Sequence, residues 1–326
     1  MKLLIFFEAR RIFWKSIKQL FERVTAKVSC VAIVSHDAGG AEILSSWLLR
    51  SDDLCYVVLE GPAITIFNNK CSGVKRLTLD EAITKCDWVL CGTGWASDLE
   101  RKAIKHGKQQ GKKTVAYLDH WVNYKERFEE IDGNVILPDE IWVGDKYARH
   151  IAEAAFPNIL IKLQINPYLE DLRRDLSKIE TKKISTKKVL ILYICEPLRD
   201  HAHLKYGNER HWGYTEEDAL KYFLKNIKFL HLDIESVTIR PHPSEKLNKY
   251  HWAKALAPDL IIFGGGKSLM HEVTEADLVV GCGSMAMVVA LLAGKRVISC
   301  IPPGGSPCKL PHDKIECMQD LVERKS

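Results

Sequence analysis

The chain has 326 residues and a net charge of +5, from 47 lysines and arginines against 42 aspartates and glutamates. That surplus sits in residues 1–27, where seven basic residues outnumber two acidic ones; the other 299 residues carry 40 of each sign. A neutral body argues against a broad nucleic-acid-binding surface, and 46% hydrophobic with 27% charged residues excludes a disordered chain.

Residues 2–24 have helical periodicity. Leu3, Phe6, Phe7, Phe13, Trp14, Ile17, Leu20, Phe21 and Val24 recur at i, i+3, i+4 spacing, with Arg11, Lys15, Lys18 and Glu22 elsewhere on the wheel. A basic amphipathic helix over 1–27 is expected. It is read either as a peripheral anchor on the inner face of a membrane or as a helix packed on its own domain or a second subunit. No run approaches the ~20 apolar residues of a membrane span, and Leu3–Phe7 is too short for a signal-peptide core.

From residue 28 short apolar runs alternate with helical stretches. Strands are expected over 28–35, 55–59, 87–91, 114–118 and 140–143. Helices are expected over 41–49, 80–85, 97–110 with Ser97 as cap, and 146–155. Residues 171–187 are dense in charge and read as a linker. Alternation resumes with strands over 188–195, 236–240, 260–263, 278–280 and 296–300. Helices are expected over 215–229 with Thr215 as cap, 247–256, 269–275 and 285–293. The pattern predicts an α/β protein with two Rossmann-like domains, 28–170 and 188–326, facing each other across a cleft. Ten cysteines with no CxxC pair read as free thiols in a reducing, cytoplasmic compartment. Zinc-ligand spacing is missing, Asp200, His201, His203 and His211 have no compact carboxylate set beside them, and no metal or cofactor is expected.

Four loops after predicted strands carry reactive or permissive residues. The first, Ser35-His36-Asp37-Ala38-Gly39-Gly40, offers His36 or Asp37 as a catalytic base, with glycines that allow close backbone approach. The second, Gly92-Thr93-Gly94-Trp95, joins Asp119 and His120 as an acceptor-side edge with Gly39 and Gly40. The third, Arg240-Pro241-His242-Pro243-Ser244-Glu245, pins a histidine between two prolines. The fourth, Gly281-Cys282-Gly283-Ser284-Met285, opens a helix whose N-terminal amides suit an anion, so Gly283, Ser284 and Met285 are assigned to phosphate. Gly264, Gly265 and Gly266, with Arg240, are assigned to the nucleotide. The superficial GxGxxA of the fourth loop lacks the ribose acid of a dehydrogenase.

RPHPSE resembles the His-Pro motif of bacterial sialyltransferases, polysialyltransferases and CDP-glycerol glycerophosphotransferases. ADLVVGCGSMAMVVALLAGKRVI is similar to their Ser-containing strand–helix–strand unit, with Arg296 in place of the usual Pro. The resemblance covers about residues 188–305 and implies a glycosyltransferase of the two-domain GT-B type. It implies that His242 and Ser284 bind the phosphate of a nucleotide-sugar donor, that His36 or Asp37 takes a proton, and that no tightly bound metal is needed. The first loop lacks the acidic signature of sialyltransferases, which argues against a CMP-sialic acid donor. The expected activity is transfer of a sugar to a glycan or lipid-linked acceptor in polysaccharide biosynthesis. Its rivals are a nucleotide-sugar 2-epimerase or hydrolase of the same fold, and a non-catalytic subunit of a polysaccharide assembly.

Overall fold

The computed structural model describes residues 28–94, 97–130, 132–180 and 188–324. The expected helix over 1–27 therefore lies outside the described residues. By packing, the chain forms two units. The first takes the residues up to Asp119 with Tyr124–Val143 and Ala155–Lys162. The second takes His120–Asn123, Gly144–Ala154 and everything from Leu163.

The first unit is built on a six-stranded sheet of β1 (Cys30–Ser35), β2 (Leu54–Leu59), β3 (Trp88–Cys91), β4 (Lys113–Leu118), β5 (Glu140–Val143) and β6 (Leu160–Leu163). Its order is β2-β1-β3-β4-β5-β6, with β1 parallel to β2 and β3, and β3, β4 and β5 parallel in turn. Val31, Ile33, Val89, Leu90, Val115 and Ile141 are fully buried. Apolar runs without polar alternation are what a parallel sheet covered on both faces demands. Within this unit Trp47, Trp88 and Trp142 cluster, with ring centroids 6.0, 6.2 and 5.9 Å apart.

The second unit holds β7 (Val189–Ile194), β8 (Ile234–Arg240), β9 (Ile261–Phe263), β10 (Leu278–Gly281), β11 (Arg296–Ser299) and β12 (Ile315–Cys317). They form a parallel sheet of order β12-β11-β10-β7-β8-β9. Its core gathers Ile191, Tyr193, Phe223, Val237, Ile239 and Tyr250. Counted within the unit, this order is that of the doubly wound dinucleotide folds, with the switch point between β7 and β10. In the first unit the switch falls between β1 and β3. Two parallel six-stranded sheets with helices make a two-domain, GT-B-like α/β fold.

Several elements differ from expectation. Gly61–Lys70 and Pro167–Lys178 are helices that open on Gly-Pro and Asn-Pro. Residues 171–178 are thus helical, although their charge density reads as a linker, and 181–187 lie outside the described residues. Leu198–Tyr206 is a further helix. Ser97 is displaced as N-cap by Asp98, although its hydroxyl still accepts the Leu99 N–H at 3.1 Å. Thr215 forms a full capping box with Asp218. Instead of a helix over 247–256 there is a 3-10 turn at His251–Ala255, because the preceding turns close on i→i+3 bonds and Lys249 and Tyr250 point at Glu245. All ten cysteines are free thiols. Among the described residues no helix is long and apolar enough to cross a membrane.

Candidate active site

In a parallel sheet every strand ends at the same edge, so loops distant in sequence converge there. In the first unit the loops after β1, β3 and β4 meet. His36 follows β1, and its Nδ1 lies 2.6 Å from Asp37 Oδ1. An ionised carboxylate only accepts, so Nδ1 carries the hydrogen, and in the neutral ring Nε2 is then the acceptor. Asp37 occupies the N-cap position of the helix Ala38–Leu48 but makes no side-chain cap bond there. The backbone N–H of His36 donates to Glu100 Oε1 at 2.8 Å. Glu100 is buried, and burial followed by the nearby Asp37 charge pushes its carboxyl up, while bonds from the His36 and Glu100 amides oppose this.

Asp119, just beyond the end of β4, pairs with the buried Arg127. Arg127 Nη1 also donates to Thr93 O at 2.8 Å and Thr93 Oγ1 at 2.9 Å, clamping the loops after β3 and β4 together. The backbone can come this close only because two positions lack a side chain. A Cβ on Gly39 would overlap Asp119 Oδ2, and one on Gly94 would lie 2.8 Å from Asp37 Cγ. Gly40 packs its backbone against that of Gly92. The structure thus brings His36, Asp37, Gly39, Gly40, Gly94 and Asp119 together, and Trp95 lies outside the described residues. His120 belongs with the second unit by packing.

In the second unit the switch-point loops hold an arrangement the sequence pattern does not disclose. Glu196, two residues beyond β7, places Oε1 on the backbone N–H groups of Cys282 (3.1 Å), Gly283 (2.7 Å) and Ser284 (3.1 Å). Two of the residues expected to cradle a phosphate, Gly283 and Ser284, therefore give their amides, with that of Cys282, to a carboxylate of the protein itself. Burial pushes the Glu196 carboxyl up, and the three amide bonds pull against that. Ser284 is the N-cap of the helix Met285–Leu292, yet its Oγ is buried without a partner. Beside this nest lies a cavity of about 170 Å³ lined by residues including Glu196, Cys282, Gly283, Trp212, Tyr214 and Lys309, with His120 at its wall.

The His-Pro loop follows β8, next to β7 in the sheet. His242 Nδ1 accepts the Ser244 N–H at 3.2 Å and lies 2.7 Å from Ser244 Oγ. With Nδ1 accepting, the neutral ring carries its hydrogen on Nε2, a donor suited to an anionic oxygen. Burial lowers the His242 pKa and favours that neutral ring, against the pull of Glu245. Glu245 fixes the loop from beneath. It accepts the His242 N–H at 2.9 Å, Lys249 Nζ at 2.8 Å and the Tyr250 hydroxyl at 2.7 Å. Lys249 also pairs with the buried Glu216, whose other oxygen takes the Arg199 N–H at 2.9 Å. Burial would lower Lys249, but its two carboxylate partners prevail and raise it.

Arg240 donates to Glu272 Oε2 at 2.6 Å and to Lys267 O at 2.9 Å, and Glu272 Oε1 takes the Gly265 N–H at 2.7 Å. The structure therefore ties Arg240 into the frame of the Gly264–Gly266 loop. His201 and His203 lie on the helix Leu198–Tyr206, His211 stacks on Tyr206 at 3.5 Å, and among the described residues no His, Cys, Asp and Glu cluster could hold a metal. The residues missed from sequence are mostly buried charges: Glu100, Arg127, Glu196, Glu216, Glu245 and Lys249. Glu245 alone had a local signal, as the last residue of RPHPSE.

No family model matches the chain, and no curated protein matches it. Solved structures do. A UDP-GlcNAc 2-epimerase from Methanocaldococcus jannaschii is similar at 10% identity and a TM-score of 0.53, with 83% of each chain covered. A putative UDP-N-acetylglucosamine 2-epimerase from Listeria monocytogenes is similar at 12% identity and a TM-score of 0.56, covering 84% of this chain and 79% of that one. The glycotransferase of kitacinnamycin is similar at 10% identity and a TM-score of 0.49, covering 87% and 83%. At these identities the likeness to the two epimerase structures shows the fold alone.

Proposed function

We propose that the protein is a glycosyltransferase that moves a sugar from a nucleotide-sugar donor to a glycan or lipid-linked acceptor in polysaccharide biosynthesis. The observation that carries this reading is the His36–Asp37 pair. A histidine whose Nδ1–H is held by a carboxylate 2.6 Å away presents Nε2 as a proton acceptor. In the reaction, the acceptor hydroxyl oxygen bonds to the anomeric carbon and its proton passes to His36 Nε2. The bond from that carbon to the donor phosphate breaks, and the nucleotide leaves with the electron pair. The second unit takes the donor. There the His242 Nε2–H, Ser284 and the amides of Gly283 and Met285 together meet the charge that builds on the leaving phosphate. Gly264, Gly265 and Gly266 border the nucleotide.

A second reading is 2-epimerisation or hydrolysis of a nucleotide sugar, favoured by the two epimerase structures with TM-scores above 0.5. One experiment separates the readings. Purified protein is titrated calorimetrically with UDP-, CDP-, GDP- and CMP-sugars, and any ligand that binds is incubated without acceptor. Binding that weakens at least about tenfold in His242→Ala, with slow turnover until acceptor is added, supports transfer. Rapid turnover of donor alone supports the second reading. If no donor binds, or His242→Ala changes nothing, the donor assignment is wrong.

A further inference from the structure

We infer that Glu196 is an internal stand-in for donor phosphate: it fills the amide nest of Cys282–Ser284 in the free protein, and the donor must displace it. This rests on the donor reading above and extends it to a residue that sets donor affinity.

Three observations converge. First, the nest is already an anion site, since one carboxylate oxygen takes three backbone N–H groups within 3.1 Å. It lies at the switch point between β7 and β10, where doubly wound sheets bind ligands. Secondly, the nest borders the cavity of about 170 Å³ that Glu196, Cys282 and Gly283 themselves line. An incoming group has room to approach and the side chain has room to leave. Thirdly, Ser284 Oγ is buried beside the nest with no partner. The carboxylate places a single oxygen on all three amides and leaves this hydroxyl unused. A tetrahedral phosphate has enough oxygens to take the amides and the hydroxyl together. Burial pushes the Glu196 carboxyl up, so keeping that negative charge in the nest carries a desolvation cost.

Without the competing charge, phosphate meets the amides unopposed. Glu196→Gln keeps the shape of the side chain and its acceptor oxygen while removing that charge. Inorganic pyrophosphate and the nucleoside diphosphates UDP, CDP and GDP are titrated into the full-length wild type, Glu196→Gln and Glu196→Ala. Thermal unfolding is followed with and without ligand. The expected result is affinity at least about tenfold higher in both variants, a factor typical of one charge-assisted contact. The ligand-free variants should melt lower than wild type and gain more from ligand, because a group that fills the nest stabilises only the empty protein. If Glu196→Ala fails to fold, Glu196→Gln carries the comparison. Equal affinity in wild type and Glu196→Gln overturns the inference and leaves the donor reading intact. Weaker binding in Glu196→Gln overturns it too, since Glu196 would then contact the ligand. No binding by any variant removes the donor reading, and the inference with it.

Discussion

Replacing Glu245 with glutamine tests whether the His-Pro loop is held by the charge network beneath it. The Glu245 side chain is fully buried and its two oxygens serve three donors, the His242 N–H, the Lys249 ammonium and the Tyr250 hydroxyl. Glutamine has one acceptor oxygen and a donor NH2. If that oxygen stays on Lys249 and Tyr250, the NH2 opposes the His242 N–H and a backbone donor loses its partner. If it turns round, the NH2 opposes the ammonium. Either way at least one hydrogen bond to a charged group is lost, at about 1.5–3 kcal/mol each. Lys249 keeps Glu216, which limits the further loss. The expected destabilisation is roughly 2–4 kcal/mol in the second unit. Urea unfolding checks it, with limited proteolysis at the His-Pro loop reporting local opening. Lys249→Met strands two buried carboxylates and should cost more, about 3–5 kcal/mol. The double variant should then cost less than the sum of the two, since each removes part of the other's penalty. A Glu245→Gln stability within about 0.5 kcal/mol of wild type would refute the argument, because that is the range of an ordinary surface change.

Two further outcomes follow from glycine geometry and from a buried carboxylate. Gly39→Ala drives a methyl group into Asp119 Oδ2, on a carboxylate that Arg127 holds through Oδ1, whereas Gly266→Ala enters open space. The first should cost about 1–3 kcal/mol and lower turnover, while the second leaves thermal stability within about 0.5 kcal/mol; equal melting temperatures would show that Asp119 yields freely. The second outcome concerns acid. Burial works to raise the Glu140 carboxyl, but Lys113, Lys162 and Trp142 prevail and pull it down to about 2. A carboxyl lowered by folding adds stability that is fully present above its unfolded value of 4.5 and is lost as the pH falls through about 2. The pH dependence of stability between those limits should flatten in Glu140→Gln, and an unchanged slope would assign the acid sensitivity elsewhere.

The alternating elements are legible in the sequence because buried parallel strands must be apolar on both faces, as in Val31–Val34 and Val279–Val280. The two missed helices that open on Gly61-Pro62 and Asn166-Pro167 illustrate an ambiguity. The same dipeptides mark turns and helix starts, and Asn166 resolves it only in three dimensions, by accepting the Tyr168 and Leu169 N–H groups. Of the site, the loops at strand ends are legible because glycine, proline and histidine there have few other uses. Their partners are not. Arg127 sits eight residues from Asp119 in an unremarkable stretch, and Glu196 is 86 residues from the first amide it binds. Pairings of that range depend on sheet order, which no local pattern encodes.

The Trp47–Trp88–Trp142 cluster gives the first unit a spectroscopic identity of its own. Indoles with centroids 6.0, 6.2 and 5.9 Å apart, held at fixed angles in an asymmetric setting, are expected to contribute to the near-ultraviolet circular dichroism of the unit. That signal vanishes when side-chain packing loosens, even if the helices and strands persist. The second unit contains Trp121, Trp212 and Trp252 with no such triad among the described residues. A chain of two units does not yield a single unfolding free energy. Here the aromatic chromophores are distributed so that loss of order in one half is visible against the other, without a label.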